Sequence, residues 1–195
     1  MSTARPALKA RDTRTLALRA ATELMQRRGF HGFTFHDVAA MLGVSHVAIH
    51  YHFETKVRLV EAAVAAYCER FAMDLAAIEH AHTNPEKQLQ AYVALFAGAA
   101  SDQRLCLCGV LAAEMVTLPE ELRSAVRSFY KQNEAWLVRV IAKATRKRAR
   151  SARVQQLARG LLDLLEGAMV SERLLDNPSR ITGAARWWIS SLRYA

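Results

Sequence analysis

Thr34-Phe-His-Asp-Val-Ala-Ala-Met-Leu-Gly-Val-Ser-His-Val-Ala-Ile-His-Tyr-His-Phe53 is the stretch whose reading decides the fold. Thr34 is a strong N-cap, because its hydroxyl can accept a backbone N–H that has no partner inside the helix, and Asp37 sets negative charge at the positive end of the helix dipole. The helix so started runs through Val38, Ala39 and Leu42 to a turn at Gly43. Ser45 caps a second short helix, which carries Val47, Ala48 and Ile49 as far as Phe53. Val38, Ala39 and Leu42 would pack on Val44 and Ile49, leaving Ser45, His46, Val47, His50 and Tyr51 to face outward. Two helices crossed in this way present the second to a DNA major groove about 12 Å wide.

Outward from this motif, apolar residues recur at helical spacing and not in alternation, so the chain reads as all-α. Upstream, residues 1–11 form a basic arm, followed by a helix with Leu16, Ala20, Leu24 and Met25 on one face that Gly29 stops. Downstream, Thr55 caps a long helix striped by Val60, Val64, Tyr67, Phe71, Leu75 and Ile78, which links an N-terminal head to a larger body. Asn84-Pro85-Glu86 and Pro119-Glu120-Glu121 each open a further helix. The basic run Arg146-Lys147-Arg148-Ala149-Arg150 ends the periodicity of Val126, Phe129, Asn133, Trp136 and Val140 and marks a turn between helices. A helix over about 154–175 follows, and Asn177-Pro178 starts the last one, to about 193, with Ile181, Ala185, Trp188 and Leu192.

Composition narrows the class of function. Hydrophobic residues are 52% of the 195, enough for a substantial core, and Lys+Arg exceeds Asp+Glu by 27 to 18. A net charge of +9 favours partners that carry phosphates, whether nucleic acid or an anionic membrane surface. Cys68, Cys106 and Cys108 are odd in number and unpaired in spacing, which argues against a secreted disulfide framework. No apolar run approaches the ~20 residues of a membrane span, and the N-terminal stretch lacks the apolar core of a signal peptide. The expectation is a soluble, cytoplasmic protein.

At the motif, the sequence resembles the tetracycline-repressor family. Gly29-Phe30, Thr34, Asp37-Val38-Ala39, Leu42-Gly43-Val44-Ser45, Ile49, Tyr51-His52-Phe53 and Thr55-Lys56-Val57-Arg58-Leu59 follow that family's pattern in order and spacing over roughly residues 12–60. The resemblance implies a three-helix helix-turn-helix head at 12–56 and a ligand-binding and dimerisation body at 57–195. It implies that the helix after Ser45 reads bases while Thr34, Tyr51, His52 and Lys56 hold phosphates. His46, Val47, Ala48 and His50 depart from the commoner family residues, so these positions should govern which operator is read. It further implies a homodimer on an inverted-repeat operator, acting as a repressor released by a small-molecule inducer, with no enzymatic activity and no cofactor.

The body offers candidates for the small-molecule site in Tyr67, Phe71, Tyr92, Phe96, Phe129, Tyr130, Asn133, Trp136 and Glu166, which could line a cavity or be ordinary core. Cys106 joins them as a candidate sensor, since Arg104 and a helix start beside it would favour a thiolate; packing in the core is the alternative. In the helix over 154–175 the apolar surface is wider than one stripe, which points to a dimer interface through Leu161, Leu165 and Ala168, with Trp188 of the last helix. A central core helix would show the same pattern. Five of the seven histidines fall within 31–52, and His46 and His50, one turn apart, raise a metal reading, but no acidic or cysteine partner with matching spacing accompanies them. The chain carries no Gly-rich phosphate loop, nucleophile elbow or metalloprotease helix.

Overall fold

The computed structural model describes residues 10–192. Among them are nine α-helices and no strand: α1 (Ala10–Arg28), α2 (Phe35–Leu42), α3 (His46–His52), α4 (Lys56–Ala81), α5 (Pro85–Ser101), α6 (Leu107–Ala113), α7 (Glu120–Thr145), α8 (Ala152–Leu175) and α9 (Arg180–Ser191). Residues 1–9 of the expected arm lie outside the described residues, and its last two already belong to α1.

The head is α1 to α3. α1 buries Thr13, Ala17, Ala20, Ala21, Leu24 and Met25, whereas Leu16, expected on the inner face, is only half-buried. Three alanines on this face let neighbouring helices approach closely, and α1 packs on α2, α3 and α4. It ends at Gly29, whose φ of 79° is left-handed. A Cβ there would also lie 2.1 Å from Glu114 Oε1, so close approach of the body adds a second reason for glycine.

Thr34 and Asp37 close a reciprocal capping box on α2. Gly43, at φ 66°, ends α2 and turns the chain into α3, which Ser45 caps by accepting the Ala48 N–H at 3.3 Å. The expected packing between the two helices is present: Val38, Ala39 and Ile49 are buried, and Leu42 and Val44 lean on the same core.

α4, 26 residues and about 39 Å long, spans head and body. It contacts α1 on one side and α5, α6 and α7 on the other. Thr55 caps it and Asn84 caps α5, as their residue types predict. The turn expected within 146–150 follows Thr145, with Arg146 left-handed at φ 54°. The last helix begins at Arg180, two residues later than Pro178. Its start is held by the buried Glu172 of α8, whose Oε2 accepts the Ile181 N–H at 3.0 Å.

α8 lies between α7 and α9 and also meets α5. This position explains its wide apolar surface. Leu161, Leu165 and Ala168, together with Trp188 of α9, are turned into the protomer's own core, so the central-helix reading accounts for them and the interface reading does not. The large apolar side chains that α8 and α9 leave exposed are Val170, Leu174, Leu175 and Trp187.

Candidate nucleic-acid interface

α3 is short, and a single side chain, Ile49, anchors it in the head core. Its capped start and its tight junction with α2 hold the remaining side chains in fixed directions. Ser45, His46, Val47, His50 and Tyr51 are exposed, with Val47 63% and Tyr51 84% accessible, while Ala48 and His52 are half-buried. A valine and a tyrosine this exposed on a well-packed helix have no role in the protomer's own core.

The histidines order this surface through ring contacts. His36 of α2 packs on His46 at 4.5 Å, His46 meets His50 edge-on at 6.1 Å, and His50 meets Phe35 at 4.4 Å. Among the described residues no group of three His, Cys, Asp or Glu side chains is placed to hold a metal ion.

Two residues nominated for phosphate contact have prior commitments. The Thr34 hydroxyl donates to Asp37 Oδ2 at 2.6 Å, and Arg28 pairs with the same carboxylate at 3.3 Å. These bonds hold the Asp37 carboxyl below its usual range, the Thr34 contacts contributing most. Lys56 points inward: Nζ donates to the Phe33 carbonyl and sits over the rings of Phe33, at 4.3 Å, and Phe30, at 4.9 Å. Burial lowers its pKa, against an upward pull from Glu114 and Asp37. Lys56 thus ties the start of α4 to the α1–α2 loop, a positioning role that its place in the sequence does not reveal.

In the body, the nominated aromatic residues come together but fill their own space. Phe71 meets Tyr92, Phe96 and Phe129 at ring distances of 5.1–6.3 Å, and Trp136 stacks on Tyr92 at 5.2 Å. Tyr67 packs on Phe71 and Phe129. The Tyr92 hydroxyl donates to Asn133 Oδ1 at 2.9 Å, and Asn133 Nδ2 to the Phe129 carbonyl, so the one buried amide in this cluster is satisfied.

Cys106 and Cys108 are free and buried. Burial pushes the Cys106 thiol well up, Glu166 adds to the shift, and the Tyr67 hydroxyl contacts its sulfur at 3.7 Å. Arg104 turns instead to Asp102. The conditions for a reactive Cys106 thiolate are therefore not met, and the core reading of this residue fits.

A cavity of about 560 Å³ lies at the joint of head and body, where the last turn of α1 meets α6, α7 and α8. Of the candidate ligand residues, Glu166 and Tyr130 line it. The joint around it is built from backbone: Glu114 Oε2 accepts the Phe30 N–H at 2.7 Å, Arg173 donates to the Arg27 carbonyl at 2.9 Å, and Gln26 Nε2 donates to the Leu105 carbonyl at 2.9 Å. The side chains making these bonds, Glu114, Arg173 and Gln26, belong to no sequence motif, and the partner of each lies far along the chain.

A family profile described as "Bacterial regulatory proteins, tetR family" matches residues 17–63, and one described as "Tetracyclin repressor-like, C-terminal domain" matches residues 85–188. No curated protein matches the chain. Among solved structures, a transcriptional regulator of the TetR family from Agrobacterium tumefaciens is 25% identical, with TM-score 0.86 over 93% of this chain and 98% of that one. A TetR transcriptional regulator from Legionella pneumophila is 21% identical, with TM-score 0.85 over 96% and 99%. The regulatory protein TetR from Rhodobacter sphaeroides is 20% identical, with TM-score 0.81 over 91% and 97%.

Proposed function

Because the chain belongs to the tetracycline-repressor family, and is therefore a DNA-binding regulator and not an enzyme, we propose that it is a homodimeric repressor, reading an inverted-repeat operator and released by a small molecule. The observation that carries this reading is α3, an N-capped helix anchored by Ile49 whose exposed Val47 and Tyr51 have no role in the protomer's core. Val47 and Ala48 would meet thymine methyl groups, and Ser45, His46 and His50 base edges or phosphates. Thr34, Tyr51 and His52 would hold the phosphates on either side. Lys56 contributes by fixing the loop that presents Thr34, and reaches phosphate only if it leaves the Phe30 and Phe33 rings.

The second copy would sit on the outer face of α8 and α9. Leu174, Leu175 and Trp187 are exposed there, and a Cβ built at Gly183 would meet nothing within 4 Å, so a partner helix can come close. Two-fold symmetry then places the two α3 helices on half-sites one helical turn, or a multiple, apart. No helix among the described residues is long and apolar enough to cross a membrane, which accords with work on DNA in the cytoplasm.

The test is footprinting and affinity measurement on the DNA upstream of the protein's own gene against random duplex. Wild type should protect an inverted repeat and bind it at least a hundredfold more tightly than random sequence. Val47→Gly should change the preferred bases. Lys56→Ala should destabilise the head by about 1–3 kcal/mol through loss of two ring contacts and a hydrogen bond, with the slope of affinity against salt unchanged. Equal affinity for all duplexes would overturn the operator reading, and a slope smaller by about one would return Lys56 to the phosphates.

A further inference from the structure

The joint cavity differs from the aromatic cluster in being open, with a carboxyl group in its wall. Its wall is largely apolar, formed by Leu105, Val110, Ala113, Met169 and Val170 with the Tyr130 ring. The charged groups at its rim are occupied: Arg27 pairs with Glu23, Arg28 with Asp37, Arg173 with α1 carbonyls, and Glu114 with the Phe30 N–H. Glu166 stands apart. Its Oε1 is cut off from solvent with no hydrogen-bond partner, and its Oε2 lies against Gly109, where a Cβ would come within 2.2 Å. The absence of a side chain at Gly109 is what lets the carboxyl lie there. A carboxyl in an apolar wall with one oxygen lacking a donor is costly unless something brings the donor.

We infer that this cavity binds an organic ammonium ion with an apolar or aromatic body, Glu166 serving as its counter-ion. The inference rests on the proposed control by a small molecule and names its chemical class and place. Volume fits: about 560 Å³ lies within the range of drug-sized ligand sites. Electrostatics fits as well. Burial pushes the Glu166 carboxyl up to about 7, Asp163 adding slightly, while the nearby Cys106 thiol and Tyr130 hydroxyl act in the opposite direction without reaching Oε1. An empty site therefore holds the acid partly protonated, and an ammonium ion restores the carboxylate with its own N–H donors.

Placement supplies the link to DNA. Gln26, Arg27, Arg28 and Gly29, the end of the first head helix, form one wall, and α6, α7 and α8 the others. A ligand wedged here bears directly on the bonds that fix the head to the body, so its binding biases the angle at which α3 is presented.

The experiment uses calorimetric titration of the full chain, without DNA, with three probes of one shape: 4-phenylbutylamine, 4-phenylbutanol and 4-phenylbutyrate. The ammonium probe should bind at least tenfold more tightly than the alcohol, and the carboxylate probe most weakly. Glu166→Gln, which keeps volume and removes charge, should abolish the preference for the amine and leave the alcohol unchanged. Equal affinities of the three probes for wild type, or no heat from the amine at millimolar concentration, would overturn the site whether or not the variant folds. A parallel measurement of operator affinity separates the two levels: amine binding without loss of DNA affinity leaves the site and removes its control role.

Discussion

α3 and α8 use their side chains in opposite ways. α3 buries Ile49 alone and shows nearly everything else to solvent, whereas α8 buries Val154, Leu157, Ala158, Leu161, Leu162, Leu165, Ala168 and Met169 among its neighbours and leaves a narrow outer strip. The recognition helix is held at its N-terminal end, through the Ser45 cap and the junction at Gly43, and by Ile49; the body helix is held by its sides. Substitution in α3 should therefore change what the molecule recognises with little effect on stability. On the inner faces of the body it should change stability first, and on the outer strip of α8 and α9 it should change assembly.

The largest effect tests that division within α8. Leu161→Ala should lower unfolding free energy by about 2–5 kcal/mol, the usual cost of a cavity at a fully buried leucine. Leu174→Glu combined with Trp187→Glu should leave the helical content intact while halving the mass measured by light scattering. An unchanged melt for Leu161→Ala, or a persistent dimer in the double variant, would break the assignment of inner and outer faces.

A smaller effect is expected inside the aromatic cluster. Asn133→Ala leaves the buried Tyr92 hydroxyl without its acceptor and should cost about 1–3 kcal/mol in denaturant titration. Adding Tyr92→Phe to it should recover part of the loss, since the orphaned group is then gone. No recovery would show that the cost lies in packing alone.

The smallest concerns the head. Thr34→Ala removes the α2 cap, worth about 1 kcal/mol. It should also alter the acid limb of the stability curve. Asp37 has a lowered pKa in the folded state, so its contribution is present above the unfolded carboxylate value of about 3.9 and is lost as pH falls through the lower folded value. In Thr34→Ala that limb should be shallower. An identical limb in both proteins would place the acid dependence elsewhere.

The head was legible because its determinants are local. Thr34 with Asp37, Gly43, Ser45 and Thr55 act within three or four residues of themselves, and each does in the structure what its residue type predicts. The same holds for Asn84 and for the turn at Arg146. α1 was less exact: Ala17 and Ala21 share the buried face that Leu16 leaves, because contact with α4 selects small residues over large ones.

Periodicity shows that α8 is apolar over more than one stripe, but not whether its own chain or a second copy covers it; α7 and α9 settle that in favour of the protomer. Aromatic residues spaced along α4, α5 and α7 are equally consistent with a cavity and with a solid core, and only their ring contacts show that they close on one another. The charge on Lys56 announces a cation without saying where Nζ lies, and Arg104 beside Cys106 in sequence is turned away from it in space. Sequence by itself determined the all-helical class, the capped starts of α2 to α5 and the outward chemistry of α3, since those follow from interactions within a turn or two. Tertiary structure alone decided the partners of Lys56, Arg173 and Glu114 and the lone Oε1 of Glu166, because each depends on residues tens of positions away that only packing brings within reach.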